Sequence, residues 1–247
     1  MSAAGKRPPE LTGEARERLA PVVELLAGDR SAPSSVREPA DAWRLHVADS
    51  LSGLVVSELA AARRVADVGA GAGFPGLVIA AAVPDAQVDL IESVGRKCEF
   101  MRRALAAGRI GNARVVCERA ETWASLEPPE GGREAYDAVT ARAVGRLATL
   151  AELAAPLLRA GGLLVGWKGR RDEDEEAEMA RAAARLAMEH ERVIPVGPFA
   201  GSRHRHLHVL RKSGPTPEGL PRRPGMAKKR PFGSASRDDD RGRLGAR

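Results

Sequence analysis

A glycine-rich turn and a carboxylate a fixed distance beyond it are the residues here best suited to chemistry. Asp67-Val68 runs into Gly69-Ala-Gly71-Ala-Gly73-Phe74-Pro75-Gly76, and Glu92 stands 23 residues after Gly69. Glycines in such a turn admit dihedrals closed to other residues and let a ligand lie against the backbone. An acid ending the next strand can accept hydrogen bonds from both ribose hydroxyls of an adenosine. Together they point to an adenosine-containing cofactor. Gly71-x-Gly73-x-x-Gly76 also fits the dinucleotide fingerprint, but Gly69-Ala70 separate it from the strand, and Pro75 removes a backbone donor that a pyrophosphate would use. S-adenosyl-L-methionine carries no phosphate and tolerates that loss. The pattern therefore favours a class I methyltransferase over the alternative, a small NAD(P)-dependent oxidoreductase, which would also need a second domain for which little chain remains.

The elements that must position these residues read as an alternation. Strands are expected at 64–68, 88–92, 113–118, 136–141, 163–167, 191–197 and 204–211, and helices at 77–83, 95–107, 146–159 and 172–190. Strands alternating with helices imply a doubly wound, Rossmann-like α/β sheet, with the last two strands as an antiparallel edge hairpin. Upstream, Leu19, Val22, Val23 and Leu26 recur at helical spacing; Pro21 is expected to break that helix. Residues 40–62 read as one or two helices with Trp43, Val47, Leu51, Leu54 and Val55 on the apolar face. The organisation that follows is a disordered 1–10, a helical extension over 11–62, a methyltransferase domain over 63–212, and a basic, flexible tail over 213–247.

Several segments carry a more specific likeness. DVGAGAGFPGLVIA, LIESVGRKCEFM, RAE at 119–121, YDAVTARAV and GGLLVGWKG closely resemble the bacterial ribosomal RNA small subunit methyltransferase G family, also called glucose-inhibited division protein B. VREPADAWRLHVADSL and LPRRPGMAKKRPF resemble that family's upstream and tail segments, so the likeness covers about residues 34–232. It departs at Ser31-Ala-Pro-Ser-Ser35, where members usually carry an Asn-Leu-Thr type segment. The resemblance implies transfer of a methyl group from S-adenosyl-L-methionine to N7 of a guanine in the 530 loop of 16S rRNA, nucleotide 527 in standard rRNA numbering. It also implies cofactor contacts from Gly69, Gly71, Phe74, Glu92, Ala120 and Glu121, with Arg142 beside the cofactor and facing the substrate.

The rest of the sequence is compatible with that chemistry. No Asn/Asp-Pro-Pro-Tyr/Phe motif follows the fourth strand, as exocyclic amine methylation would require; Thr140-Ala-Arg142-Ala stands there. Of 39 Lys and Arg and 33 Asp and Glu, residues 201–247 hold 13 basic and 4 acidic, so the excess of +6 lies in the C-terminal fifth. A basic segment suits a polyanionic partner. Arg222, Arg223, Lys228, Lys229 and Arg230 are candidates for RNA phosphates, as are His46 and Lys168, and Arg142 is a candidate for orienting the base. Removing everything after Lys212 is then expected to weaken RNA binding and spare cofactor binding. His46 and Asp49, three residues apart on one helix, are positioned to meet. The acidic run 172–178 reads as a solvated helix start. Cys98 reads as a small buried side chain and Cys117 as a strand residue, with no disulfide framework and a reducing cytoplasm as the setting. His204, His206 and His208 alternate on one strand face, but no metal site is expected. Aromatic residues are only 3% of the chain, too few for a base-stacking platform. With no apolar run long enough for a membrane span and no secretory signal, the expected protein is a cytoplasmic monomer whose partner is 16S rRNA in the small ribosomal subunit. A non-catalytic RNA-binding assembly factor with the same fold is the second alternative.

Overall fold

Seven strands form one sheet in the computed structural model, which describes residues 5–234. They are β1 (Arg64–Val68), β2 (Gln87–Ile91), β3 (Ala113–Val116), β4 (Tyr136–Arg142), β5 (Leu158–Lys168), β6 (Met188–Pro195) and β7 (His206–Lys212), in the order β3-β2-β1-β4-β5-β7-β6. The first five run parallel, and β7 lies antiparallel between β5 and β6. Four consecutive residues are buried in each of β1 and β2, as both faces of the sheet are covered, and each run is apolar but for one aspartate, Asp67 and Asp89. The hairpin is where the sequence put it. However, β5 begins before Gly161-Gly162 rather than after, and β7 begins at His206, because His204 has φ +53°.

Helices α5 (Gly76–Ala82), α6 (Gly95–Ala107), α7 (Ala120–Trp123), α8 (Leu147–Ala154) and α9 (Glu173–Leu186) connect the strands. The strand order reverses between β1 and β4, which opens a crevice beyond their carboxyl ends.

The helical extension corrects one expectation. Helix α1 (Gly13–Gly28) runs unbroken through Pro21, with Thr12 Oγ1 capping the Ala15 amide at 3.2 Å. Proline removes a single intrahelical hydrogen bond there. Complete burial of Leu19, Val22, Val23 and Leu26 outweighs that loss. Downstream, α2 (Pro39–Ala42) passes into a π-helical turn at Trp43–Ala48, then α3 (Asp49–Leu51) and a 3-10 turn, Ser52–Val55; α4 (Ser57–Ala60) follows. Trp167 at the end of β5 anchors this stretch, its indole N–H donating to Asp49 O at 2.9 Å. Gly53 is required for that approach, since a Cβ there would lie 2.3 Å from the indole.

The described residues next to both termini are more ordered than expected. Residues 1–4 and 235–247 lie outside the described residues, but Lys6 pairs by backbone with the end of β6, its N–H donating to Pro195 O at 2.9 Å. Residues 213–234, expected to be flexible, pack against α8 and α9 and include the short helix α10 (Met226–Lys229). Leu220 and Ala227 are buried there. Local composition read this segment as polar; a few well-placed apolar and ion-paired side chains fix it. Cys98 is buried as expected, but Cys117 falls just past β3. The two pair as a disulfide, Cα to Cα 5.8 Å, joining α6 to the turn before α7. The parallel crossover through α6 brings them together, which spacing alone does not reveal. Among the described residues no helix is long and apolar enough to cross a membrane.

Candidate active site

The crevice holds two cavities, one on each side of the turn Ala143-Val144-Gly145 after β4. The first, about 350 Å³, has an apolar floor of Val68 and Ile91, with Gly69, Glu92, Ala120 and Glu121 around it. Its size and lining suit a small ligand held by few polar groups.

Of the glycine turn only Gly69 lines this cavity; Gly71 acts on it through Glu92. Gly71 has φ +61°, a left-handed conformation that aims its N–H at Glu92 Oε2, 3.2 Å away. Val94 N–H holds Oε1 at 3.0 Å, and Lys97 Nζ approaches Oε2 at 3.4 Å. Glu92 is therefore fixed at the cavity wall, with one acceptor site free on Oε1 and the two on Oε2 taken by Gly71 and, at the longer distance, Lys97. Gly76 must be glycine for another reason: a Cβ there would lie 2.2 Å from Leu90 and 2.9 Å from Asp67.

Asp67, which the motif contains but sequence reasoning gave no role, fastens the turn from below. Its fully buried carboxyl accepts from Gly76 N–H at 2.9 Å and Thr140 Oγ1 at 3.0 Å. Burial pushes its pKa from 3.8 up to about 7, against the pull of those two donors. In the unfolded chain the group ionises at its ordinary value, so between 3.8 and about 7 the folded state holds the extra proton and stability falls as pH rises. Asp67→Asn keeps the shape and an acceptor for Gly76 but cannot ionise. The variant should gain stability relative to the parent as pH rises through that window. Urea midpoints at its two ends check this; parallel pH profiles would refute it.

The second cavity, about 230 Å³, is lined by Asp49, Arg142, Trp167, Lys168, Arg205 and His206, among others. Here His46 and Asp49 do not bond each other as their spacing suggested. Both converge on Arg142 at the end of β4. Asp49 Oδ2 accepts from Arg142 Nη1 at 2.9 Å, and His46 Nδ1 accepts from Nη2 at 3.2 Å. Burial first, and then the Arg142 charge, lower the His46 pKa to about 4. A neutral ring accepts from Arg142 through Nδ1 and donates through Nε2–H to Ser34 Oγ, 2.9 Å away. Ser34 lies in the segment that departs from the family pattern. The His46 ring also stacks on Phe74, centroids 4.9 Å apart, and the Arg142 guanidinium lies 6.0 Å from that ring. Arg142 thus lines the second cavity rather than the first, and buried Phe74 lines neither. Asp49 Oδ1 is buried and has no hydrogen-bond partner; Arg205 Nε stands 3.9 Å from it.

Several residues read as RNA-facing are engaged inside the protein. Lys168 Nζ bonds Glu175 Oε1 at 2.6 Å and Gly145 O at 2.8 Å. Arg222 binds both oxygens of buried Glu152, at 2.6 and 2.5 Å, and its guanidinium lies 3.9 Å from the Phe232 ring. His46 is held as described. These charges satisfy buried carboxylates, a tertiary requirement invisible to local charge counting. The same correction applies to the acidic run: Glu175 and Glu178 are buried, paired with Lys168 and Arg146. Among the described residues, Arg223, Lys228, Lys229 and Arg230 form no ion pair, and Lys228 and Lys229 lie at the rim of the first cavity. The histidines of the last strand also do not act as one face. His206 Nδ1 lies 2.8 Å from Gly169 O, and His208 bonds His190 at 3.1 Å.

Comparison with known proteins agrees with this geometry. A family model described as rRNA small subunit methyltransferase G matches residues 25–207. A protein of that description from Rubrobacter xylanophilus is 41% identical over 226 residues, covering 88% of this chain and 85% of the relative. One from Moorella thermoacetica is 33% identical over 199 residues, covering 81% and 82%. Among solved structures, fibrillarin of Aeropyrum pernix in complex with S-adenosyl-L-methionine superposes with a TM-score of 0.50 at 17% identity, covering 66% of this chain and 72% of that one. The 1,6-didemethyltoxoflavin-N1-methyltransferase of Burkholderia thailandensis, with S-adenosylhomocysteine, gives 0.50 at 15% identity, covering 86% and 98%.

Proposed function

The chain belongs to the rRNA small subunit methyltransferase G family, and on that premise we propose that it methylates N7 of one guanine in the 530 loop of 16S rRNA, nucleotide 527 in standard rRNA numbering. It has the class I S-adenosylmethionine-dependent methyltransferase fold, and S-adenosyl-L-methionine is its cofactor. It works in the cytoplasm, as a monomer, on the small ribosomal subunit.

The observation that carries this reading is the pair of adjoining cavities, one built around Glu92 and the other around a tethered Arg142. The first suits the cofactor's nucleoside. Glu92 has one acceptor site free on Oε1 and gains a second on Oε2 when Lys97, 3.4 Å away, swings aside, which makes room for two ribose hydroxyls; Val68, Ile91, Ala120 and Leu153 offer apolar surface to a base. Gly69 leaves room beside the turn. When bound, the cofactor supplies a methyl group on a positively charged sulfur.

The second cavity suits the acceptor. Guanine N7 has an in-plane lone pair and no proton, so attack on that methyl needs no general base. The protein must position the ring and exclude water. Arg142 is prepared for that. Asp49, Leu45 O and His46 take three of its five N–H donors, which leaves Nε–H and one Nη2–H for guanine O6 or a phosphate. Arg223, Lys228, Lys229 and Arg230 add charge along one edge for the RNA backbone, where they set affinity and salt dependence rather than base choice.

The test is a substrate that lacks the reacting atom. Small subunits reconstituted with 7-deazaguanosine at that nucleotide should accept no methyl group, while subunits with ordinary guanosine do. Equal transfer to both would overturn the N7 assignment.

A further inference from the structure

The cavity around Glu92 has a wall that neither the glycine motif nor the family pattern announces. Gly225, Ala227, Lys228 and Lys229 line it together with Gly69 and Glu92. These residues belong to the basic segment that the sequence reads as an RNA arm. We propose that residues 222–229 form a strap closing the adenine side of the cofactor site, and that Glu121 is the positioning residue that docks it. This rests on assigning the Glu92 cavity to the cofactor.

Four separate contacts fix the strap. Gly225 N–H donates to Glu121 Oε1 at 2.7 Å. Thr149 Oγ1 on α8 donates to Ala227 O at 3.2 Å. Arg222 binds buried Glu152 on α8 through two hydrogen bonds and donates to Arg230 O at 2.8 Å, which closes the strap on itself. Farther along, Arg181 on α9 donates to Gly233 O at 2.7 Å. The conformation suits this path: Gly225 has φ +84°, open to glycine at little cost, and it turns the chain into α10, three of whose residues line the cavity.

The arrangement gives Glu121 a definite task. Its Oε1 is taken by the strap amide, so part of its effect on the cofactor runs through residues 225–229. The strap also places Lys228 and Lys229 at the cavity rim with no ion pair among the described residues. A chain ending at Lys212 would therefore lose cofactor affinity as well as RNA affinity, contrary to the expectation from charge alone.

Hydrogen exchange on the full chain, with and without saturating S-adenosylhomocysteine, tests this. Peptides spanning 222–230 should exchange more slowly with the ligand, together with those spanning 69–74 and 92–98. Protection of the latter two with 222–230 unchanged would overturn the strap and leave the cofactor assignment standing. No protection at 69–74 and 92–98 would overturn both. Glu121→Ala should raise the Kd for S-adenosylhomocysteine about tenfold and speed exchange of 222–230 in the unliganded protein. Glu121→Gln, which keeps an acceptor for Gly225 N–H, should recover most of both. Unchanged exchange of 222–230 in Glu121→Ala would show that Glu121 does not dock the strap.

Discussion

Glu92→Ala should weaken binding of S-adenosyl-L-methionine by at least about 100-fold, since two hydrogen bonds to a charged acceptor are worth roughly 1.5–3 kcal/mol each. The carboxylate is already held by the Gly71 and Val94 amides and by Lys97. Little ordering therefore remains to be done when ribose hydroxyls arrive, and little of their interaction is spent on arranging the side chain. Glu92→Gln keeps one oxygen acceptor and loses the charge, so it should fall between parent and Glu92→Ala. Calorimetric titration with S-adenosylhomocysteine measures both, and thermal unfolding shows whether the turn itself has been disturbed. Parent-like affinity in a folded Glu92→Ala would remove the ribose assignment.

Arg142→Ala is expected to cost both stability and turnover, and the two losses can be separated. Asp49 is 3% exposed and its carboxylate takes its one short hydrogen bond from Arg142 at 2.9 Å. Deleting the guanidinium leaves the buried carboxylate with no hydrogen-bonded partner and only Arg205 at 3.9 Å, a loss of up to about 3–5 kcal/mol when one partner of a buried pair is removed. Methyl transfer should fall at least about 100-fold, or roughly 2.7 kcal/mol of barrier. Cofactor affinity should change much less, because Arg142 opens into the second cavity. Removing Asp49 as well should restore most of the stability, since no unpaired carboxylate remains, yet restore no transfer. Urea unfolding and single-turnover methylation of the pair of variants read the two effects. If Arg142→Ala/Asp49→Ala regained transfer along with stability, Arg142 would be a brace for the N-terminal extension and not a substrate-facing group. Arg142→Lys should not rescue transfer, because a point charge cannot bond Asp49 and His46 and still present two donors.

What was legible in the sequence lay within single elements. Asp67 to Gly76 and Glu92 could be placed at successive strand ends because each sits at the end of an apolar run, and a parallel sheet puts such ends on one edge. The closing hairpin was legible because two strand-like runs follow each other with Gly201 and no helix between them. What could not be read were pairings across the fold. Lys168 with Glu175, Arg222 with Glu152 and Arg142 with Asp49 join residues 7, 70 and 93 positions apart. Charge counts treat such residues as surface, whereas burial of one partner decides their role. The strap is hidden for the same reason: its composition is that of an exposed tail, whereas buried Ala227, the Arg222–Glu152 ion pair and the hydrogen bonds of Gly225 N–H and Ala227 O hold it in place. Pro21 was misleading in the other direction, since a local rule yielded to a buried face. Asp67 stood in the motif itself, but nothing in its spacing showed that it would be sealed beneath Gly76.

The most direct test of the central claim is one transfer reaction. The full chain is incubated with methyl-labelled S-adenosyl-L-methionine and small ribosomal subunits that lack the modification, and the rRNA is then digested and its nucleosides are identified by mass spectrometry. Label in 7-methylguanosine at a single site of the 530 loop is the predicted result. Label in any other nucleoside, or no transfer to subunits or to rRNA by a protein that binds the cofactor, would contradict it.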